Sequence, residues 1–233
     1  MAMRRVLGSV IGALLVCAAA TACGSDVSTV SEHTTSPGEV VPAPAVDPQV
    51  GDARSAKVVL AGGCFWGVEG VYQHVDGVLS AVSGYSGGTA DTADYGTVSS
   101  GSSGHAEVVE VTFDPSVVSY GRILQIFFTV VADPTTLNAQ GPDRGTQYRT
   151  EIFATTPEQA DVANAYIAQL DEAKAFSAPI VTTVSALDTF YPAEDYHQDY
   201  MAMHPDNPYI AANDAPKVDA LQRLFPAEYR STT

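Results

Sequence analysis

From Lys57 onward the chain switches between two hydrophobic periods. "KVVLAGG" (57–63) is a short apolar run, rich in β-branched residues and ending in glycines, as expected of a buried strand that closes in a turn. In the following "CFWGVEGVYQHV", Phe65, Val68, Val71, Tyr72 and Val75 recur at roughly helical spacing. This predicts a helix, with Cys64 in the turn or in the first helical turn. "VLSAVSGYSGG" predicts a second strand running into a glycine-rich loop, and "DTADYGTVSSGSSG" a polar loop. "HAEVVEVTFD" predicts a third strand, whose alternation puts Glu107, Val109, Val111 and Phe113 on one face.

The second half repeats the grammar. "SYGRILQIFFTVVADP" carries Leu124, Ile126, Phe127, Val130 and Val131 at helical spacing, with Ser119 as N-cap and Pro134 at the end. "DRGTQYRTEIFATT" reads as a strand. "TPEQADVANAYIAQLDEAKAF" then reads as a helix capped by Thr156, with Pro157 at its first position and Gln159 where a capping box needs it. Its core stripe is Val162, Ala163, Tyr166, Leu170 and Ala173. "PIVTTVSALDTFYPA" reads as a last strand, ahead of the polar and aromatic "EDYHQDYMAMHPDNPYI". This order of elements predicts an α+β fold, a two-layer α/β sandwich of the ferredoxin-like plait type with a mixed sheet and extra loops.

The start of the chain has no such period. "MAMRR", an apolar run and the small-residue stretch "ATAC" read as an export signal over 1–22. Cys23, directly after the cut, fits a lipid-modified first residue that would tether the protein to a membrane, the alternative being a freely secreted protein. Residues 23–54, rich in Ser, Thr and Pro, read as a disordered tether, and 55–233 as the folded domain. The expected location is extracytoplasmic, anchored through Cys23.

Charge and cysteine count narrow the function. Loss of 1–22 leaves 9 basic and 27 acidic residues, a formal charge of −18, which repels nucleic acid and anionic lipid. Cys17 leaves with the signal and Cys23 is the acylation candidate, so Cys64 is the remaining free thiol. By itself such a thiol is either inert and buried or reactive. Glu107 adds chemistry, because a carboxyl on an apolar strand face is desolvated and its pKa rises.

Polar and aromatic groups beside glycines cluster in five segments: Cys64-Phe65-Trp66, Tyr85 in "SGYSGG", His105 to Glu107, Asp143 to Tyr148, and Glu194 to Tyr200. Each group also has a structural reading, as core aromatic or half-buried wall. No paired-cysteine or His-Glu-x-x-His motif supports a metal site, and no Gly-x-Ser-x-Gly elbow supports a serine hydrolase.

"GGCFWGVE" resembles the active-site signature of the A-type peptide methionine sulfoxide reductases, and "GYSGG", "GHAEVVEVTFDP", "DPTTLNAQGPDRGTQYRTEIF" and "YHQDY" resemble that family's other segments in the same order. The resemblance spans about Val58 to Tyr209. It implies that Cys64 is the nucleophile that attacks a methionine-S-sulfoxide, leaving a sulfenic acid; the position after Gly62-Gly63, at a helix start, is suited to lowering its pKa. It further implies that Glu107 is the proton donor and that Tyr85 and Tyr148 hydrogen-bond the sulfoxide oxygen. Phe65 and Trp66 would hold the S-methyl group, Asp143 would contact the substrate amide, and His197 and Tyr200 would support the site.

Oxidised proteins or free methionine sulfoxide are then the expected substrates of a monomer without metal or cofactor. Three departures from the family pattern stand out: Pro142 where Asn is expected, Thr150 for Ser, and a tail "APKVDALQRLFPAEYRSTT" with no resolving cysteine. An external reductant, a thioredoxin-like protein or a low-molecular-weight thiol, is therefore expected to reset Cys64, the alternative being resolution by Cys23 across the tether. Two alternatives stay open on the sequence: a lipoprotein that only binds methionine-rich or oxidised peptides, and a thiol peroxidase.

Overall fold

The computed structural model describes residues 38–48 and 53–232. In chain order the elements are β1 (Ala56–Gly62), α1 (Phe65–Gln73), β2 (Val78–Ser86), α2 (Tyr95–Val98), β3 (Ala106–Phe113), α3 (Tyr120–Ile126), β4 (Ala139–Gln140), β5 (Asp143–Arg144), β6 (Thr150–Ala154), α4 (Pro157–Glu172), β7 (Thr183–Ala186), β8 (Tyr191–Pro192), α5 (Tyr200–Met203) and α6 (Ala215–Leu224). A six-stranded sheet runs β7-β6-β1-β3-β2-β8. Its centre, β6-β1-β3-β2, is antiparallel throughout, which with α1 and α3 as crossovers is the ferredoxin-like plait the sequence predicts. A further crossover through α4 adds β7 parallel to β6 and makes the sheet mixed.

The main core lies between the sheet and the helices. Val58 and Leu60 of β1, and Val109, Val111 and Phe113 of β3, meet Val68, Val71 and Tyr72 of α1 and the apolar face of α3. The caps form as read: Ser119 accepts from the Arg122 amide, and Thr156 from the Gln159 amide. The Gln159 side chain reaches back one residue further than a capping box requires, to the Thr155 amide. α3 continues as a π-helical turn over Phe127–Val131.

Three expectations are corrected. Of 143–156 only Thr150–Ala154 is in the sheet, because Asp143–Arg144 form a small hairpin with β4 and Thr146–Tyr148 a 3-10 turn. The single strand over 179–193 is two: the chain leaves β7 and crosses the second sheet face, where Leu187 and Phe190 cover Val59, Ala61, Val108 and Phe153. It then pairs as β8 at the opposite edge. Within the expected tether, residues 38–48 pack on the domain, with Val41 3% exposed in the main core. The export signal and Cys23 lie outside the described residues. Among the described residues no helix is long and apolar enough to cross a membrane.

Candidate active site

β1 ends at Gly62, and Gly63 turns the chain with φ +90°, where a Cβ would lie 2.6 Å from that of Gln140. A side chain at Gly63 is therefore excluded twice, by backbone conformation and by space. The turn delivers Cys64, 9% exposed, to the N-cap of α1. β3 delivers Glu107 from the adjacent strand, 2% exposed and on the core face with Val109 and Val111. The Phe65 amide, a helix N-terminal donor with no partner in its own helix, donates to Glu107 Oε2 across 3.1 Å.

Cys64, Phe65, Trp66 and Glu107 line one cavity of about 200 Å³, together with Tyr95, Asp143, Tyr148 and Tyr209. Larger hollows exist on the surface, but the thiol and the buried carboxyl open into this one. Phe65 and Trp66 form an aromatic wall braced from behind. The Trp66 indole Nε1 donates to His197 Nδ1 at 3.1 Å, and Tyr200 stacks on the indole with ring centroids 3.8 Å apart. His197 is buried and its pKa is lowered by that burial, which makes it a neutral acceptor for the indole. Asp143 accepts a hydrogen bond from the Tyr209 hydroxyl.

Tyr85 is a correction. It faces Glu107 in the β2–β3 register, but it is fully buried and its hydroxyl donates to Glu194 Oε2 at 2.8 Å, outside the cavity lining. The phenols that reach the cavity are Tyr148, as expected, and Tyr95 and Tyr209, which the sequence reading passed over. Tyr95 opens the short helix α2 with its ring centroid 4.4 Å from that of His197, and Glu194 fixes its position by accepting from its amide at 2.9 Å. An isolated aromatic in a polar, glycine-rich loop was the available signal for Tyr95; for Tyr209 it was the "NPYI" that closes the polar-aromatic segment.

Burial decides the electrostatics. Desolvation pushes the Glu107 carboxyl up to about 8, reinforced by Asp143 and Asp214 and opposed by the Phe65 amide. Glu107 is thus a proton carrier at neutral pH. The Cys64 thiol is also pushed well above its usual value, first by burial and then by the charges of Glu107 and Asp214. The expected lowering by the helix N-terminus is overridden, although the Trp66 amide and the Tyr209 hydroxyl act in that direction. Burial raises the phenols of Tyr95, Tyr148 and Tyr209 as well, so all three are neutral; the Tyr209 proton is committed to Asp143. Among the described residues no group of three His, Cys, Asp or Glu side chains is placed to hold a metal ion.

Comparison with known proteins agrees with this geometry. Residues 56–229 match the sequence family described as peptide methionine sulfoxide reductase. The chain is 58% identical over 175 residues to peptide methionine sulfoxide reductase MsrA 2 of Mesorhizobium japonicum, covering 75% of this chain and 90% of that protein. It is 53% identical over 190 residues to MsrA 2 of Synechocystis, covering 80% and 89%. Among solved structures it resembles reduced Mxr1 of Saccharomyces cerevisiae, with a TM-score of 0.59, 31% identity and coverage of 67% of this chain and 89% of that one. It also resembles methionine sulfoxide reductase A of Corynebacterium diphtheriae, with a TM-score of 0.56, 29% identity and coverage of 74% and 88%. With its thiol and buried carboxyl in one aromatic-walled cavity and the match running through every element that builds it, the chain belongs to the peptide methionine sulfoxide reductase family.

Proposed function

We propose that this protein reduces methionine-S-sulfoxide, free or in proteins, to methionine at Cys64. The observation that carries the reading is the convergence of the Cys64 thiol, the Glu107 carboxyl and three phenols on one cavity of about 200 Å³ walled by Phe65 and Trp66. That wall suits an S-methyl group, since sulfur and methyl groups contact aromatic faces favourably, by about 0.3–1.5 kcal/mol.

With the methyl group on the wall, the sulfoxide oxygen meets Glu107 and the hydroxyls of Tyr95 and Tyr148. The Cys64 thiolate attacks the sulfoxide sulfur while Glu107 gives its proton to the oxygen, which removes charge that the closed cavity would otherwise have to stabilise. The sulfur–oxygen bond breaks. The oxygen leaves as hydroxide and adds to the Cys64 sulfur as the new bond between Cys64 and the substrate sulfur breaks; the substrate leaves as the thioether, reduced by two electrons, and Cys64, oxidised by two, is left as a sulfenic acid.

Cys64 is the only cysteine among the described residues, so an external thiol completes the cycle. Its thiolate attacks the sulfenic sulfur and expels water, and a second thiol then releases Cys64 from the mixed disulfide. A thioredoxin-like protein or a low-molecular-weight thiol supplies both. The same reading places the enzyme outside the cytoplasm on a lipid attached to Cys23, acting in repair of oxidative damage.

Incubation with the two separated sulfoxide epimers and dithiothreitol tests the chemistry. Loss of the S epimer alone is expected, and Cys64→Ser abolishes it; no loss, or equal loss of both, refutes the reading. Without reductant, about one methionine per Cys64 is expected, whereas a protein that only binds yields none. Intact mass of the exported protein tests the anchor, and an unmodified Cys23 refutes it.

A further inference from the structure

A second buried carboxyl stands behind the nucleophile, and the reaction above does not use it. Asp214, at the start of α6, is fully buried, and neither of its oxygens has a hydrogen-bond partner. Lys217 Nζ is 3.6 Å from Oδ1. Asp is a favoured helix N-cap, yet this side chain caps nothing in α6. It packs instead on α1 at Gly67, where a Cβ would lie 2.1 Å from Oδ1 and 2.7 Å from Cγ. Gly67 lies in the first turn of α1, three residues after Cys64, the N-cap of that helix. A buried carboxylate with one long ion pair and no hydrogen bond of its own is costly and calls for an explanation, and here it packs against the first turn of α1, which begins at the thiol.

We infer that Asp214 is a positioning residue for the ionisation of Cys64: its buried carboxylate, packed on the first turn of α1, holds the nucleophile as a thiol, and loss of its charge relaxes that hold. This rests on Cys64 being the nucleophile of the proposed reaction. The other groups that face this pair are Lys217 from α6, Glu107 from β3, Asp143 from β5 and Tyr209 from the segment before α6. Burial pushes Asp214 up to about 6 while Lys217 draws it down. Glu107 changes charge higher, at about 8. At neutral pH, where Glu107 is still protonated, Asp214 is therefore the ionised carboxylate that opposes the thiolate from behind. Below about pH 6 that opposition fades and offsets part of the loss of thiolate.

The test is the pH profile of Cys64 alkylation by iodoacetamide in the full chain, followed by mass on the Cys64 peptide so that other cysteines do not contribute. In the wild type the logarithm of the rate should flatten near the Asp214 transition and again near that of Glu107. Asp214→Asn should lose the first flattening and keep the second. At about pH 7 it should alkylate Cys64 roughly three- to tenfold faster, a gain in thiolate partly offset by lower intrinsic nucleophilicity. An unchanged rate and profile in the variant overturns the inference. Should the variant fail to fold, a wild-type profile that rises with one constant slope between about pH 5 and 7 overturns it equally. Alkylation does not require sulfoxide reduction, so failure of the functional reading would appear separately, as absent turnover in the wild type.

Discussion

The Phe65 amide donates to Glu107 Oε2 across 3.1 Å and so ties the first turn of α1 to the middle of β3. The bond occupies one carboxyl oxygen and leaves the other to carry the proton, beside the residue that follows the thiol. Glu107→Gln keeps an acceptor for the amide and removes the proton donor. Its single-turnover rate should therefore fall by roughly 10²–10⁴-fold with little change in fold. A rapid-quench count of methionine checks this, and a near-normal rate would remove Glu107 from the mechanism.

The pH dependence follows from the same two residues. The reactive pair is a protonated Glu107 with an ionised Cys64, although both pKa values are raised, Glu107 to about 8. kcat/KM should rise with pH as the thiolate forms, then bend near 8 as Glu107 loses its proton; in the residual activity of Glu107→Gln that bend should be absent. Stability has its own sign. The folded state binds the Glu107 proton more tightly than the unfolded chain, so this contribution is full below about pH 4.5 and lost as pH rises through about 8. Thermal melts at about pH 6 and about pH 9 should show a larger drop for the wild type than for Glu107→Gln.

Trp66 is held from two sides, by the His197 hydrogen bond and the Tyr200 stack. Neither residue lines the cavity. Tyr200→Ala and His197→Ala should therefore loosen the wall rather than the chemistry, raising KM by roughly two- to tenfold with kcat little changed. Steady-state kinetics on the S epimer decide this, and an equal loss in kcat would give these residues a different role.

Tyr85 and Tyr95 make a sharper pair. The Tyr85 hydroxyl is committed to Glu194, and the same carboxylate holds the Tyr95 amide, so one anchors while the other faces the cavity. Tyr95→Phe and Tyr148→Phe should each slow single turnover by roughly tenfold or more, as loss of a donor to the developing charge does. Tyr85→Phe should stay within a few-fold of wild type. The reverse order would restore the sequence reading of Tyr85.

That exchange shows what the chain discloses and what it withholds. The strand face of Glu107, the glycine turn under Cys64 and the stripes of α1, α3 and α4 are local periods, legible because one neighbouring layer imposes them. Tyr95 and Tyr209 lie in polar segments without a period, and tertiary contacts bring them to the thiol, Tyr95 through Glu194 and Tyr209 through Asp143 and Trp66. The crossing at Leu187 and Phe190 looked like one strand for the same reason, since an apolar run does not say which sheet face or edge it covers. The lowered thiol pKa failed on a sum: a helix N-terminus is one influence on Cys64, and burial with two carboxyls outweighs it.

Residues 38–48 carry no period either, yet they are built into the domain. Val41 is buried against the core, and its carbonyl accepts from Gln125 Nε2 at 2.7 Å. The Pro42 carbonyl accepts from Tyr166 at 2.6 Å, Gln169 bonds the Ala43 carbonyl and the Ala45 amide, and Asp47 accepts from the Gly121 amide at the start of α3. The family match begins at residue 56, so this arm lies outside the residues matched to the family. Its removal exposes the Val41 site, worth roughly 1.5–3 kcal/mol of burial. It also strips partners from the buried Gln125 side chain and the Tyr166 hydroxyl, at about 1–3 kcal/mol each where water cannot replace them. A chain beginning at residue 53 should therefore melt roughly 5–15 °C below one beginning at residue 38. Single-turnover chemistry should survive at temperatures where both are folded, because no residue of the arm lines the Cys64 cavity. Equal melting temperatures would make the arm a passenger, and a selective loss of turnover without loss of stability would link it to the site.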